Sequence, residues 1–468
     1  MSTTLTAVSA NQVGAIYERL KEHLRTLPGQ LIASMSAISL AVLLLFLSIH
    51  AGVKTRDVTA ETIIHDTAPS IVLADQIAVS LSNMDSDLAN ELLVPIGGDR
   101  NASDGYAQAS QDVVDQIGDA MENISNGDAE RKPLNALLDG VRDYEGYASI
   151  ARALHSRNDA AELMYFRRAH KLMTEKLLPA AHEVDRVNRA QMDEAYKETH
   201  GAFIRTLGYT YATGLLLALL LVLVQLFLNK RFLARFNIPL VLATGLAVFL
   251  AIHTVSVFHL EASYMFDAQE NAFNSIHSLW QARAIAAEAK GAESFALLDT
   301  AFTDKHRADF LEKSARIANL NGHTYQELDG QIDDKKVPNW FSGFLHDEIA
   351  NITYGAEERD PAQEMVLDYG AFLDVDAKIR ALESAGDRNG AIKLSVGTDP
   401  GQANYAFAQF EDALMDTVNV NDKHFQSASQ KALGTLEGHK GLYNEIACLL
   451  IAVLSIFGLW LRLKEFPF

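Results

Sequence analysis

Residues 229–236, NKRFLARF, form a short basic stretch between two long hydrophobic runs, 209–228 and 237–258. Each run is about 20 residues long and has no Asp, Glu, Lys or Arg, which is the length and polarity that a helix needs to cross a bilayer. The two runs therefore predict a membrane hairpin. Its turn is too short to be translocated as a domain, and Lys230, Arg231 and Arg235 predict that it lies on the cytoplasmic side.

Two further apolar runs, 31–53 and 443–461, complete a pattern of four crossings. Both termini then lie on the side of the basic turn, in agreement with basic residues before the first run and after the last. Lys54 and Arg56, just beyond the first run, weigh against this orientation. The first run is longer than the apolar core of a signal peptide, so we expect it to remain as an anchor.

The parts between the spans divide into inner and outer segments. We expect a cytoplasmic amphipathic segment at 1–30, a cytoplasmic tail at 462–468 and two outer segments at 54–208 and 259–442. In each outer segment, helical spacing of apolar residues is interrupted at Gly, Pro and Asn clusters, which predicts four helices that alternate in direction. The predicted fold is an all-α integral membrane protein in which four transmembrane helices carry two extracytoplasmic antiparallel four-helix bundles.

The second outer segment resembles the first. The stretch SIHSLWQARAIAAEAKGAESFALL from Ser275 aligns without a gap with SIVLADQIAVSLSNMDSDLANELL from Ser70. Further on, DYGAFLDVDAKIRALESAGDRNG from Asp368 resembles DYEGYASIARALHSRND from Asp143. These matches predict a tandem repeat, with an insertion rich in Gly, Pro and Asn at 319–361 of the second copy.

The composition excludes several classes of protein. The formal net charge is −20 over 468 residues, whereas a nucleic-acid-binding surface needs a basic patch. The single cysteine, Cys448, lies within the last apolar run, so neither disulfides within the chain nor thiol redox chemistry is expected.

Catalytic and cofactor motifs are absent from the sequence. There is no Walker loop, GxGxxG, GxSxG or HExxH pattern. DRNASDG from Asp99 offers oxygens at three calcium-loop positions, but Asp104 replaces the required glycine and Ser110 the bidentate acid, so an ordinary polar turn fits better. We predict no enzyme, no cofactor and no metal site.

The leading helices of the two outer segments carry charges among their core-facing residues. Asp85 shares the apolar stripe of the first leading helix, and Arg283, Lys290 and Glu293 share that of the second. Such charges are costly unless paired. One interpretation is a set of structural ion pairs in which Arg283 reaches a carboxylate on a neighbouring helix. The other is that Arg283 binds the carboxylate of a small ligand or of a partner; Trp280 fits core or interface packing better than an aromatic binding site.

Two stretches carry a resemblance to a known family. QARAIAAEAKGAESFALLD from Gln281 and YASIARALHSRNDAAELMYFRRAHKLMTEKLLPAA from Tyr147 are similar to segments of four-span membrane proteins of actinobacteria and related bacteria. Those proteins accompany an amino-acid-binding lipoprotein and the soluble Ser/Thr protein kinase G. The resemblance implies a component of the bacterial plasma (inner) membrane that passes the state of an extracytoplasmic amino-acid-binding protein to a cytoplasmic kinase, and it transfers no functional residue.

The segment sizes favour the same function. About 340 residues are predicted outside and only short segments inside, so a separate cytoplasmic effector would have to receive any signal, through small shifts of the spans. Two alternatives remain open: a direct small-molecule receptor that binds its ligand within a bundle, and an envelope scaffold that does not switch. Transport is disfavoured, because the spans lack buried ionisable residues along a path.

Overall fold

The computed structural model describes residues 22, 25–95, 100–232, 236–329, 331, 337–440 and 442–466. Within these ranges the chain is helical, and the only extended pairing is one antiparallel bridge between Asn319 and Ser342. The predicted all-α class is confirmed for this part of the chain. Arg235 and most of the predicted segment 1–30 lie outside the described residues.

The α-helices follow one another along the chain in this order: α1 Leu27–Glu61, α2 Ala68–Leu93, α3 Arg100–Glu122, α4 Asp128–His155, α5 Glu162–Leu172, α6 Leu178–Phe232, α7 Ile238–Phe266, α8 Asn274–Leu298, α9 Thr303–Ile317, α10 Tyr325–Asp329, α11 Phe344–Asn351, α12 Ala356–Ser384, α13 Arg388–Val396, α14 Ala403–Lys440 and α15 Leu442–Leu463. Three π-helical turns join consecutive helices without a break, at Thr62–Thr67, Met173–Leu177 and Asp267–Phe273.

Four helical runs are long and apolar enough to cross a membrane: Leu27–Leu93, Phe203–Phe232, Ile238–Leu298 and Ala403–Leu463. Three of them contain a predicted apolar run and Ile238–Leu298 contains all but the first residue of 237–258, so the prediction of four candidate spans is confirmed. The first and third runs extend beyond the apolar stretch into the leading helices α2 and α8. This continuity was not predicted, because the change in composition after each apolar stretch suggests that span and leading helix are separate elements.

The chain forms two compact units. An apolar unit comprises Met1–Ala60, Tyr196–Tyr264 and Lys431–Phe468, and a polar unit comprises Glu61–Ala195 and Met265–Gln430. Both outer segments thus belong to one compact unit, whereas two separate bundles were expected from the sequence.

Small residues allow close helix packing in the apolar unit. Ala41, Ala243 and Ala247 are buried in its core, and a Cβ atom added at Gly214 would lie 3.0 Å from that of Ala251. These are among the small residues that the sequence places at helix-contact spacing.

The apolar unit also contains a buried ion pair. Arg56 Nε donates to Glu261 Oε2 at 2.6 Å, and a guanidinium NH2 donates to the Phe258 carbonyl oxygen at 3.2 Å. Arg56 is thus paired within the apolar unit.

The leading helices α2 and α8 form the centre of the polar unit and pack along each other. Most of their residues are buried, 18 of 26 in α2 and 19 of 25 in α8, because alanine and serine side chains let neighbouring helices approach from several sides. In the first segment α3 packs against α2; in the second, α9 and α11 pack against α8. The aromatic residues Tyr144, Tyr369 and Phe372 fill the surrounding core.

Candidate functional site

Buried polar side chains are the candidates for a site in the polar unit, because each needs a hydrogen-bond partner or a counter-charge. Some of these needs are met directly between the leading helices. Ser294 Oγ, for example, donates to Asn90 Oδ1 at 2.6 Å.

Three helices bring together Asp75 on α2, Asp185 on α6 and His277 on α8; we call these three residues the Asp75 cluster. One ligand atom from each residue lies within 4.8 Å of the others. His277 Nε2 is 3.0 Å from Asp185 Oδ1 and 3.5 Å from Asp75 Oδ2. Asp75 and His277 are each only 3% exposed, so bulk water screens these charges weakly.

Arg189 and Gln281 complete the surroundings of the Asp75 cluster. A guanidinium NH1 of Arg189 contacts both ring nitrogens of His277, and the Gln281 amide nitrogen lies 3.1 Å from His277 Nε2. An arginine can only donate, so His277 Nδ1 accepts and the ring proton lies on Nε2, facing Asp185.

Asp75 is the member of the cluster with the poorest surroundings. Its Oδ2 atom has no hydrogen-bond partner among the described residues. Burial, and then the charge of Asp185, raise the pKa of the Asp75 carboxyl well above its usual value, and Arg189 acts in the opposite direction. The carboxyl group therefore needs a proton or another positive charge.

The predicted site residue Asp85 belongs to a different group of contacts. Tyr144 donates to its Oδ1 at 2.8 Å, and His170 Nδ1 lies 2.6 Å from its Oδ2. Both carboxylate oxygens are thus satisfied within the protein. A cavity of about 50 Å³ beside this group is lined in part by Glu288 and Lys313.

Two other predicted residues, Lys290 and Glu293, belong to α8 and make contacts of their own. Ser395 donates to Glu293 Oε1 at 2.7 Å, while Oε2 has no partner among the described residues. Burial, and then the charge of Asp376, raise the pKa of Glu293 to about 8. The ammonium of Lys290 lies 4.8 Å from the centre of the Phe407 ring.

Arg283 is held within the protein. Its Nε donates to Glu411 Oε1 at 2.9 Å, and its guanidinium lies over the Trp280 ring at 5.2 Å. This is the contact with a carboxylate on a neighbouring helix that the first interpretation of the sequence describes. The five predicted residues therefore take part in three separate groups of contacts rather than one site.

The predicted basic turn is described in part. Lys230 and Arg231, at the end of α6, are exposed. Arg235 lies outside the described residues.

Two matching turns reveal a sequence signal that the comparison of the leading helices alone does not show. Residues 123–133 read NISNGDAERKP and residues 351–361 read NITYGAEERDP. Asn123 Nδ2 donates to Ser70 Oγ, and Asn351 Nδ2 donates to Ser275 Oγ, each at 2.9 Å. Ser70 and Ser275 are the aligned first residues of the leading-helix stretches.

The glutamate of each turn makes the same contacts. Glu130 Oε2 accepts from the backbone nitrogens of residues 125 and 126, at 3.1 and 3.2 Å. Glu358 Oε2 accepts from those of residues 353 and 354, at 2.7 and 2.8 Å. Residues 351–361 thus correspond to 123–133, so the predicted insertion at 319–361 extends too far at its C-terminal end.

The two turns differ in one buried acid. Glu130 Oε1 accepts from Asn188 at 3.0 Å, whereas Glu358 Oε1 has no partner among the described residues. The second segment instead carries Glu348, which is buried beside Glu358. Burial, and then the charge of Glu358, raise the pKa of Glu348 to about 8.

The first outer segment also gives the comparison with known proteins. Residues 59–197 match the family described as the actinobacterial sensor domain. This match supports an actinobacterial sensor protein and suggests a sensing or signalling role. The matched residues nearly coincide with the Glu61–Ala195 part of the polar unit and include Asp75, Asp85 and Asp185. No curated protein and no solved structure matches the chain.

Proposed function

We propose that this protein is a non-enzymatic transmembrane signalling component of a bacterial plasma membrane. It receives an extracytoplasmic state through a solute-binding protein, of the amino-acid-binding type, and relays it to a cytoplasmic effector such as a Ser/Thr kinase. The match of residues 59–197 to a sensor domain supports the sensing role. The resemblance found in the sequence supports the choice of partners.

The main observation that supports the relay is that two spans continue as helices into the leading helices. The runs Leu27–Leu93 and Ile238–Leu298 each join a candidate span to a leading helix, with a π-helical turn as the only change of helix type. The turns Thr62–Thr67 and Asp267–Phe273 precede the aligned leading helices by the same distance in sequence. We infer that a displacement of a span passes along such a continuous helical run, and π-helical turns are frequent at functional positions.

Two cavities described in the polar unit favour a protein partner over a small ligand bound within a bundle. They measure about 50 and 10 Å³, whereas small-molecule sites typically enclose about 300–1,000 Å³. A space of about 50 Å³ accommodates a few water molecules at most. We therefore propose that a protein delivers the stimulus to the polar unit; a larger cavity, of about 210 Å³, lies in the apolar unit beside His50 and Lys54.

The finer architecture is part of this proposal. The matching turns at Glu130 and Glu358, and the matching π-helical turns, support a tandem repeat of one helical sensing element. Exposed Lys230 and Arg231 support a cytoplasmic turn between the second and third spans.

Affinity purification of the full-length chain from native membranes in mild detergent tests the relay. We expect one extracytoplasmic solute-binding protein and one cytoplasmic effector to co-purify. The double substitution Lys230→Glu, Arg231→Glu should remove the cytoplasmic protein and leave the extracytoplasmic one, because it reverses charge only in the turn.

The matched control substitutes two exposed basic residues of the polar unit, Arg131→Glu and Arg142→Glu, and should leave the cytoplasmic protein bound. Recovery of no cytoplasmic protein with the parent chain, with or without added amino acids, would overturn the relay.

A further inference from the structure

The Asp75 cluster has the composition and spacing of a cation site. We propose that Asp75, Asp185 and His277 bind one divalent transition-metal cation of the zinc class. The inference goes beyond the proposed function, since a bound cation can be detected whether or not the protein signals.

The three ligand atoms are close enough to share one ion. One ligand atom of each residue lies within 4.8 Å of the other two, and His277 Nε2 is 3.0 Å from Asp185 Oδ1 and 3.5 Å from Asp75 Oδ2. Zinc–oxygen and zinc–nitrogen bonds are about 2.0–2.2 Å long, so ligand atoms around one ion lie about 3–4 Å apart. Little movement is needed to place an ion between them.

Comparison with the Asp85 group shows how the proposed cation site differs from a group whose hydrogen bonds are all made. Each contains a buried aspartate of α2 beside a histidine of another helix, His277 of α8 or His170 of α5. Tyr144 and His170 satisfy both oxygens of Asp85, so that group needs nothing more. Asp75 is 3% exposed, its Oδ2 has no hydrogen-bond partner among the described residues, and a second carboxylate lies beside it. A buried carboxylate oxygen that lacks a hydrogen bond and lies beside a second carboxylate is costly, and a cation removes that cost.

The donor types select the class of ion. One imidazole nitrogen and two carboxylate oxygens suit zinc and related transition metals, whereas calcium and magnesium prefer oxygen ligands alone. The Gln281 carboxamide, 3.1 Å from His277 Nε2, is placed to offer its oxygen as a further ligand after rotation of the amide.

Arg189 competes with the cation. Metal binding at Nε2 requires the neutral ring to carry its single proton on Nδ1, the atom that now accepts from Arg189. An Nδ1–H group and the guanidinium are both donors, so this contact must break when the cation binds. The ring keeps one proton throughout, which moves from Nε2 to Nδ1, and Arg189 keeps its charge but moves away from the ring.

The position of the cluster gives the cation a structural consequence. Asp75 and Asp185 belong to the first outer segment and His277 to the second. A cation bound to all three would cross-link α2, α6 and α8, and so join the two segments of the polar unit at its centre.

Zinc titration of the full-length chain in mild detergent tests the proposal. After removal of any affinity tag and of bound metal, the protein competes with a chromophoric chelator for zinc. We expect one tight site per chain. Asp75→Asn and His277→Gln should each weaken it at least about tenfold, because each removes a direct ligand. Calcium in excess should not displace the zinc.

Two controls make the result specific. Asp85→Asn changes an equally buried aspartate beside a histidine and should leave zinc binding unchanged. Arg189→Gln retains all three ligands and should tighten binding by roughly tenfold, because it removes a competing positive charge. If the ligand variants do not fold, as judged by circular dichroism and gel filtration, the zinc affinity of Arg189→Gln is the measurement that tests the proposal. Absence of a tight site in the parent, equal affinity in folded Asp75→Asn, or no tightening in Arg189→Gln would each overturn the assignment.

Discussion

Glu348 and Glu358 are neighbouring buried carboxyl groups in the second segment of the polar unit. Because the pKa of Glu348 is raised to about 8 in the folded protein, the folded state binds a proton that the unfolded state, with an ordinary value of 4.5, releases. Stability is therefore highest below pH 4.5 for this group, and falls as the pH rises towards 8. The loss amounts to roughly 2 kcal/mol between pH 6 and pH 8.

Glu348→Gln should remove that part of the pH dependence, because the amide stays neutral. The measurement is the thermal unfolding midpoint of the full-length chain in detergent, at several values between pH 6 and pH 8.5. Glu122→Gln, a change at an exposed position, should leave the slope as in the parent. An unchanged slope in Glu348→Gln would show that this carboxyl group ionises normally in the folded protein.

Arg283 and Glu411 form a half-buried ion pair, with each side chain 22% exposed. Such pairs contribute little, so Arg283→Gln and Glu411→Gln should each destabilise the protein by about 1 kcal/mol or less. A double-mutant cycle on unfolding should give a coupling of about 0.5–1 kcal/mol. A coupling of zero would mean that Glu411 does not hold Arg283, and would favour the interpretation in which Arg283 binds a ligand carboxylate.

At the same scale, the sequence could identify Asp85 but not Asp75. The prediction rested on charges along one apolar stripe of each leading helix, and Asp85 lies on that stripe. Asp75 follows Ala74, and His277 follows Ile276, so both fall beside it. Since most residues of α2 and α8 are buried, a single stripe does not separate their core from their surface.

Among the helices and turns, the matching turns at Gly127 and Gly355 show what a repeat preserves. The two glycines have φ of +57° and +71°, with ψ of −127° and −139°. This region is almost exclusive to glycine. A glutamate three residues later then caps the backbone nitrogens before each glycine, and the turn starts the next helix.

Gly355→Ala should destabilise the protein by about 1–3 kcal/mol, because alanine is strained at this φ and ψ. No atom lies within 4 Å of the added Cβ, so the whole effect comes from the backbone. Gly118→Ala is the matched control: Gly118 lies within α3, also with open space around the added Cβ, and this variant should be neutral or more stable by about 0.5–1 kcal/mol. Equal midpoints for the two variants in thermal unfolding would contradict the strained conformation.

The elements were predictable to different degrees. In the first segment, the Gly, Pro and Asn clusters that the sequence predicts as interruptions lie at or near the ends of α3 and α4. The helices of the second segment were harder to predict from the sequence. Its α9 and α11 together take the place of α3 and are separated by residues 318–343. Both segments share the pattern NI(S/T)-x-G-x-x-ER-x-P, which would have located the C-terminal end of the insertion. Taken alone, Asn123 and Asn351 resemble only glycosylation sites.

At the scale of the whole molecule, composition predicted the four candidate spans, because the length and polarity of a bilayer crossing can be read directly from the chain. The association of both outer segments in one compact unit could not be read in this way. It depends on contacts between residues about 90 to 200 positions apart, such as Asp185 with His277 and Asn90 with Ser294, and no local spacing encodes them.

The orientation of the spans leads to the last prediction. In a Cys448→Ser background, single cysteines at exposed Ser156 and Ser384 test the two outer segments, and one at exposed Asn229 tests the basic turn. A membrane-impermeant thiol reagent added to intact cells should label the first two, because four crossings place both outer segments on the same outer side. Asn229→Cys should react only after the membrane is opened. Labelling of one outer segment without the other would require an odd number of crossings between them, and labelling of Asn229→Cys in intact cells would reverse the orientation and exclude a cytoplasmic effector at that turn.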